Sequence, residues 1–210
     1  DGQRLAGGDV VGRLHLWDLG AAPARSAVLR DAGAPALADI DVHPDGQRVA
    51  AADVRGQARI WDLASLRVTQ RLAHAVGTES RGLHFHPQQP QLSLGTLGGG
   101  VGVFALDGGA LLGSIEGSID AVAWDRPPTR LLTGGQDGVV RRHAVEAGQS
   151  QDLPEPHADA VVALAVAPPG TGAAGAAGAT AVQRVIAEEK LLDNVQVMGT
   201  RRRGRLLQAD

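Results

Sequence analysis

Short segments of alternating apolar and polar residues recur along the chain, separated by turns rich in glycine, aspartate and proline. Residues 48–50 (RVA) and 59–61 (RIW) are examples. Successive side chains of a strand point to opposite faces, so this alternation predicts strands with one polar and one apolar face. The pattern therefore predicts an all-β protein built from short strands.

An 18-residue pattern occurs twice. Residues 1–18 read DGQRLAGGDVVGRLHLWD, and residues 45–62 read DGQRVAAADVRGQARIWD. Each copy runs from an Asp-Gly turn through a short strand, a tight turn closed by Gly12 or Gly56, and a second strand ending in Trp-Asp. Trp61 follows Trp17 by 44 residues, a period typical of solenoids and propellers. Four short strands fit that length.

The dipeptides Trp17-Asp18 and Trp61-Asp62 each close a strand after a glycine-containing turn. Together with the period, they make the chain resemble the WD-repeat β-propellers, over nearly its whole length. The resemblance implies an all-β fold, a β-propeller of four-stranded antiparallel blades. About five blades are expected, with the ring incomplete.

The resemblance divides residues 1–210 into five units of one propeller segment. The first unit lacks the innermost strand, and the third and fourth carry Phe104 and His143 at the tryptophan position. The fifth is interrupted at 169–180 by a Gly/Ala-rich insertion, which we expect to be a solvent loop. We expect 19 strands, in units at about 1–30, 37–72, 81–115, 120–153 and 157–208.

In the WD-repeat family a His, a Ser or Thr, an Asp and the Trp of one blade form a hydrogen-bonded brace. Here the resemblance implies that these parts are scattered, because no single unit holds all four. We therefore interpret the corresponding residues as structural. They are Asp9, Asp53 and Asp137 at the turn position, Thr133 at the hydroxyl position, His157 at the histidine position, and the Trp17-Asp18 and Trp61-Asp62 pairs.

Two histidines, His84 and His86, lie two residues apart on an expected strand, and such a pair can offer two imidazoles to a metal. The structural alternative is that strands ending in His-Pro recur here, as at residues 43–44 and 86–87. A metal-dependent propeller enzyme would need further ligands on inner strands, and Asp39, Asp41 and Asp120 are the candidates. We expect no cofactor, no metal and no catalytic residue.

Composition excludes few classes of protein. The net charge is −3, so no general argument for nucleic acid or a membrane follows. There is no cysteine, which excludes disulfide scaffolds and thiolate metal sites. The longest apolar run, residues 160–168, is too short to span a bilayer, and the given sequence starts at Asp1 without Met, a basic n-region or an apolar h-region. We expect an intracellular protein, cytoplasmic or nuclear, that does not enter membranes.

A basic cluster near the end consists of Arg201, Arg202, Arg203 and Arg205. Such clusters can neutralise phosphates, which keeps open a propeller in a nucleic-acid-associated complex. The structural alternative is a solvated turn, and no aromatic platform for bases accompanies the cluster.

The resemblance implies a non-catalytic scaffold or adaptor that binds other proteins or peptides. Propellers present loops at the ends of their blades as binding surfaces. We expect the connections at 73–80, 116–119 and 154–160 and the turns at Asp9, Asp53, Leu97 and Asp137 to emerge on one face. Arg55, Glu79 and Gln136 are the candidate partner-binding residues.

Overall fold

The strands form five antiparallel sheets. The structure is a computed structural model, and within each sheet consecutive strands pair side by side. The only helical element among the residues it covers is the 3-10 turn Val145–Ala147. The structure describes residues 4–23, 25–73, 79–125, 130–154, 156–166 and 182–186.

The first sheet has three strands, the next three sheets have four each, and the fifth has two in the part described. In chain order they are β1 (Arg4–Gly8), β2 (Arg13–Asp18) and β3 (Arg25–Arg30); β4 (Leu37–Val42), β5 (Arg48–Asp53), β6 (Gln57–Asp62) and β7 (Arg67–Ala73); β8 (Ser80–Phe85), β9 (Gln91–Thr96), β10 (Gly100–Ala105) and β11 (Leu111–Ile115); β12 (Ala121–Trp124), β13 (Arg130–Gly134), β14 (Val140–Ala144) and β15 (Gln149–Asp152); β16 (Val161–Val166) and β17 (Val182–Ile186).

The first strands of consecutive four-stranded sheets contact one another. β4 contacts β8, β8 contacts β12, and β12 contacts β16, while β1 contacts β4. The sheets therefore follow one another around a centre, each as one blade with its last strand at the rim. This confirms the predicted all-β propeller of antiparallel blades, with about four or five blades and an incomplete ring. We number the blades one to five in chain order.

The hydrophobic core is divided into layers that lie between blades. Leu14 and Leu29 of blade one pack with Val49, Ala51 and Trp61 of blade two. The opposite face of blade two packs on blade three, and further layers join blade three to blade four and blade four to blade five. Each inner blade is thus covered on both faces.

This arrangement corrects the expectation that the strands have one polar and one apolar face. Ile60 and Trp61 are neighbours on β6, yet Ile60 lies in the layer towards blade three and Trp61 in the layer towards blade one. Arg59, which we assigned to the polar face, is also buried. A propeller strand is packed between two blades, so it must be buried on both faces, as parallel strands of α/β proteins are.

The described residues account for 17 strands, and the first sheet lacks an innermost strand as expected. The second unit, expected to end at residue 72, ends with the strand Arg67–Ala73. The part of the fifth expected unit that follows residue 186 lies outside the described residues. The insertion at 169–180 also lies outside the described residues. The exact bounds of the five units therefore stay a prediction.

Candidate binding face

Four hairpins end in four-residue turns closed by the same backbone hydrogen bond, at residues 9–12, 53–56, 96–99 and 135–138. In each turn the amide of the fourth residue donates to the carbonyl of the first, at 3.0–3.2 Å. The fourth residue is glycine in every case, with φ of +77° at Gly12 and +74° at Gly56. A Cβ at Gly12 would lie 2.3 Å from the Ala34 carbonyl oxygen, so only glycine fits there.

The connections between blades lie directly against these turns. Leu37 N donates to Asp9 O at 3.1 Å, and Val54 N donates to Ala36 O at 3.0 Å. In later blades Leu97 N donates to Glu79 O at 2.9 Å, and Val161 N to Gly135 O at 2.9 Å. The turns and connections therefore share one face of the molecule. We call it the turn face: the four turns together with residues 31–36, 79, 116–120 and 156–160.

Asp9 and Asp53 each hold their turn by accepting two backbone amides. Asp53 Oδ1 accepts from Arg55 N at 2.8 Å and from Gln57 N at 3.1 Å. Asp9 Oδ1 accepts from Val11 N at 3.0 Å and from Arg13 N at 2.9 Å. Desolvation opposes ionisation of Asp9, but its hydrogen bonds to Arg13, His15 and Val11 hold its pKa well below the usual range.

Asp137 does not take the same position, and the sequence interpretation was wrong to group the three. It is the third residue of its turn, where Gly135 is the first. Asp137 is exposed, and it accepts from Val139 N at 3.1 Å and from the Arg141 guanidinium at 2.6 Å. Asp137 directly precedes the closing glycine of its turn, whereas two residues separate Asp9 and Asp53 from theirs.

Behind the second turn lies a chain of four charged side chains from blade two and from the connection before it. Arg59 donates to Asp53 at 2.7 Å and to Asp31 at 2.7 Å. Arg71 donates to both oxygens of Asp31, at 2.8 and 3.1 Å. These bonds to Arg71, and then to Arg59, lower the pKa of Asp31 to about 2. Sequence analysis missed this network, although a lone arginine in a strand ending in Ile-Trp-Asp was a signal for it.

Blade four holds a hydrogen-bonded pair in its interior. Thr133 Oγ1 lies 2.8 Å from His143 Nε2, and both residues are buried. Burial, and then the charge of Arg141, lower the pKa of His143. From the following connection, His157 N donates to Gly138 O at 2.9 Å. A histidine thus takes the tryptophan position and still reaches the hydroxyl on the neighbouring strand.

The comparison with known families agrees with this architecture. Residues 31–62, which include Asp31, Asp53 and Arg59 of the charged network as well as Trp61, match the family model described as "WD domain, G-beta repeat". The chain therefore contains a WD repeat within a β-propeller. No curated protein matches it.

The Trp-Asp pairs of this WD-repeat chain lie where a third strand meets the turn that follows it. Trp61 is 2% exposed, whereas Trp17 is half-buried and stacks on His15 at 5.8 Å between ring centroids. Asp62 Oδ1 accepts from Ser65 N at 2.7 Å, and Asp18 Oδ1 accepts from Gly20 N at 3.0 Å. Each aspartate therefore stabilises the turn to the outer strand.

The inner-strand carboxylates of the WD-repeat chain link two blades. Asp39 Oδ2 accepts from Leu83 N at 2.8 Å, and Asp41 Oδ2 accepts from Phe85 N at 2.7 Å. Each bond spans 44 residues, whereas β8 follows β4 by 43, so each carboxylate bonds the amide one position beyond its own equivalent in the next blade. Burial raises the pKa of Asp41. No sequence pattern indicated these links directly.

Of the candidate metal ligands, Asp41 lies close enough to His84 and Asp39 for their charges to interact. Among the described residues no group of three His, Cys, Asp or Glu side chains could hold a metal ion. His86 is buried with its ring edge against Trp124, at 4.6 Å between centroids. Its Nδ1 accepts from Gln88 N at 3.0 Å and from Gln89 N at 2.7 Å, and burial lowers its pKa. His86 therefore serves as a neutral hydrogen-bond acceptor within the fold.

The candidate partner-binding residues lie on the turn face. Arg55 and Gln136 are exposed at the centres of their turns. Glu79 is half-buried and pairs with Arg81 at 3.2 Å. The basic cluster Arg201–Arg205 lies outside the described residues. In the described part of the chain, no helix is long and apolar enough to cross a membrane.

Proposed function

We propose that this WD-repeat protein is a non-catalytic scaffold or adaptor that binds proteins or peptides within a multiprotein complex. A WD repeat supports a role in protein interaction in general. Our proposal adds to this general role a specific location, because we infer that partners bind at the turn face. A location inside the cell, cytoplasmic or nuclear, stays a prediction from the sequence.

The observation that carries the proposal is the attachment of the connections to the turns. Every described turn of the turn face is hydrogen-bonded to a neighbouring connection, at 2.9–3.1 Å in the bonds given above. Loops held in this way are pre-organised, so little conformational entropy is lost when a partner binds. The residues at the turn centres differ from blade to blade while the strands keep one pattern, which suits a surface that discriminates partners.

The hydrogen bonds made by polar side chains on and next to the inner strands support binding rather than catalysis. Asp39 and Asp41 accept backbone amides of the next blade, and His86 accepts two amides of its own loop. Groups occupied in this way are poorly placed to act on a substrate. This agrees with a family whose propellers are generally non-catalytic.

Affinity purification of the full chain, followed by mass spectrometry, tests the proposal. The test variant combines Arg55→Glu, Glu79→Lys and Gln136→Lys on the turn face. The control variant combines Gln47→Ala, Asp107→Ala and Glu146→Ala, three exposed residues outside the turn face. We expect the test variant to lose the captured partners with unchanged circular dichroism, and the control to keep them.

Two results would contradict a turn-face scaffold. One is loss of capture in the control variant alone. The other is capture that survives the turn-face changes but is lost, in a salt-dependent manner, on removing residues 201–205. That second result would assign binding to the basic cluster and favour a nucleic-acid-associated role.

A further inference from the structure

Aliphatic side chains occupy the tips of two adjacent turns. Val10 and Val11 are the central residues of turn 9–12, and Val54 is the first central residue of turn 53–56. They are 83%, 59% and 39% exposed. Turn centres favour Gly, Asn, Asp, Ser and Pro, so the turn geometry does not require valine. A structural role does not explain them either, because exposed side chains contribute little to the core.

The two turns flank a single connection of apolar residues. Leu37 N bonds to the first turn and Ala36 O to the second, which brings both turns against residues 32–36. That segment reads Ala-Gly-Ala-Pro-Ala. We call Val10, Val11, Val54 and residues 32–36 the valine ledge. It is an apolar strip at the boundary of blades one and two, and exposed apolar strips rimmed by charge mark interaction sites.

The charges around the valine ledge leave arginine in excess. The three nearby carboxylates are all engaged within the fold: Asp9 by Arg13, and Asp31 and Asp53 by Arg59. Arg71 pairs with Asp31 as well. By contrast Arg30 and Arg55, both exposed, form no ion pair with any residue that the structure describes. The residues named here are five arginines and three aspartates. This local excess of positive charge occurs in a chain whose net charge is −3.

We infer that the valine ledge binds a peptide segment in which an Asp or Glu side chain stands beside aliphatic side chains, a specificity that rests on the proposed function. The aliphatic groups cover the valines, and the carboxylate pairs with the Arg55 guanidinium, which can engage both carboxylate oxygens. A basic segment is disfavoured because it would meet Arg30 and Arg55. The apolar contact supplies affinity, and the arginine sets the charge preference and the association rate.

A displayed library of random heptapeptides, selected on the immobilised full chain, tests the inference. We expect enriched sequences to carry Asp or Glu next to Leu, Ile or Val. The most enriched peptide is then resynthesised with an amidated C-terminus, so that only a side-chain carboxylate is present. Its affinity is measured for the parent, Arg55→Glu, Val54→Asp and a control, Asp107→Lys, at an exposed residue outside the turn face.

We expect Arg55→Glu and Val54→Asp each to weaken binding by about ten-fold or more, and Asp107→Lys to leave it unchanged. Selection on Arg55→Glu should instead enrich Lys and Arg beside the aliphatic residues. Circular dichroism checks that each variant is folded. Enrichment of basic or purely polar peptides from the parent, or binding unaffected by Arg55→Glu, would overturn the inference.

One further variant, Gln136→Lys, separates this inference from the proposed function. If the enriched peptide loses affinity on this change and not on Arg55→Glu, the turn face binds peptides but the valine ledge is not the site. If selection enriches no peptide and no turn-face variant alters partner capture, both proposals fail.

Discussion

Arg59 sets the charge balance inside blade two. Its side chain is 8% exposed, and it is shared by two carboxylates, of which Asp53 is fully buried. A buried carboxylate that loses its charge partner retains its desolvation cost without compensation. The residue that resembles a solvent-facing position of an alternating strand is therefore the one that pairs with the buried Asp53 and keeps the second turn in place.

We predict that Arg59→Ala destabilises the protein by about 3–5 kcal/mol, the range for breaking a buried ion pair from one side. Arg71→Ala is the matched control. Arg71 belongs to the same network but is 64% exposed, so its loss should cost much less than the loss of Arg59. Urea unfolding of both variants checks the prediction. Equal losses of unfolding free energy would show that burial does not govern this network.

Trp61 fills the layer between blades one and two, where it packs with Leu14, Leu29 and Val49. Truncating a buried tryptophan costs roughly 3–5 kcal/mol. Trp61→Ala should therefore lower the denaturation midpoint strongly. Trp17→Ala, at the equivalent but half-buried position, should lower it much less. A midpoint for Trp61→Ala within error of the parent would mean that this layer adds little to stability.

At the scale of the element, the strands next to the centre lack a pairing partner on their inner edge. An unpaired edge exposes backbone amides that invite unwanted pairing. On β4 and β8 this problem is solved by side chains, because Asp39 and Asp41 of one strand accept amides of the other. The same carboxylates accept amides of their own strand, from Ile40 N and Val42 N, both at 2.9 Å. Blades two and three are thereby joined through side chains, although β4 and β8 do not pair as strands of one sheet.

Removing one of these links should be measurable. Asp41→Ala deprives the Phe85 amide of its acceptor, at a cost of roughly 1–2 kcal/mol. Asp41→Asn keeps an acceptor oxygen and removes a carboxylate whose pKa burial already raises, so it should cost less. Hydrogen exchange at the Phe85 amide should quicken in the alanine variant and stay close to the parent in the asparagine variant. The opposite ranking would exclude Asp41 as the acceptor.

At the scale of the whole molecule, buried neutral histidines make stability depend on pH. The pKa values of His86 and His143 are lowered in the fold, whereas a histidine in the unfolded chain titrates near about 6.5. Below that pH the unfolded state binds more protons than the folded state, so stability falls as the pH drops. Asp41, whose pKa is raised, acts in the opposite direction.

We predict that the unfolding free energy decreases between about pH 7 and about pH 5, and that His86→Asn reduces this decrease. Asparagine offers an oxygen to the Gln88 and Gln89 amides and does not titrate. The His143 contribution and the opposing Asp41 contribution are unchanged, so the difference between the two pH profiles isolates His86. Parallel profiles would show that the pKa of His86 is the same in the folded and the unfolded chain.

At lower pH the stability of the protein should fall further, because a carboxylate of the charged network becomes protonated. Asp31 has a pKa of about 2 in the fold, so its contribution to stability is present above the unfolded value of about 3.9 and is lost as the pH falls towards 2. The two windows are separate, because histidines titrate in the upper one and carboxylates in the lower one.

Much of the architecture could be predicted from the sequence because it depends on local chemistry. The period of 44 residues between Trp17 and Trp61, the glycine-closed turns and the short strands determined the antiparallel blades and most strand positions. Turn type and strand length depend on a few neighbouring residues, so one unaligned sequence suffices to read them.

What the tertiary structure decided concerns contacts between residues far apart in the chain. The burial of Arg59 between Asp53 and Asp31, and the bonds from Asp39 and Asp41 to the next blade, exist because blades pack face to face. Alternation along a strand cannot reveal that both faces will be covered. The difference between Asp137 and the other turn aspartates likewise became visible only from the hydrogen bonds that define each turn. Sequence determined the blades, and their packing determined which polar side chains are buried and which remain exposed for a partner.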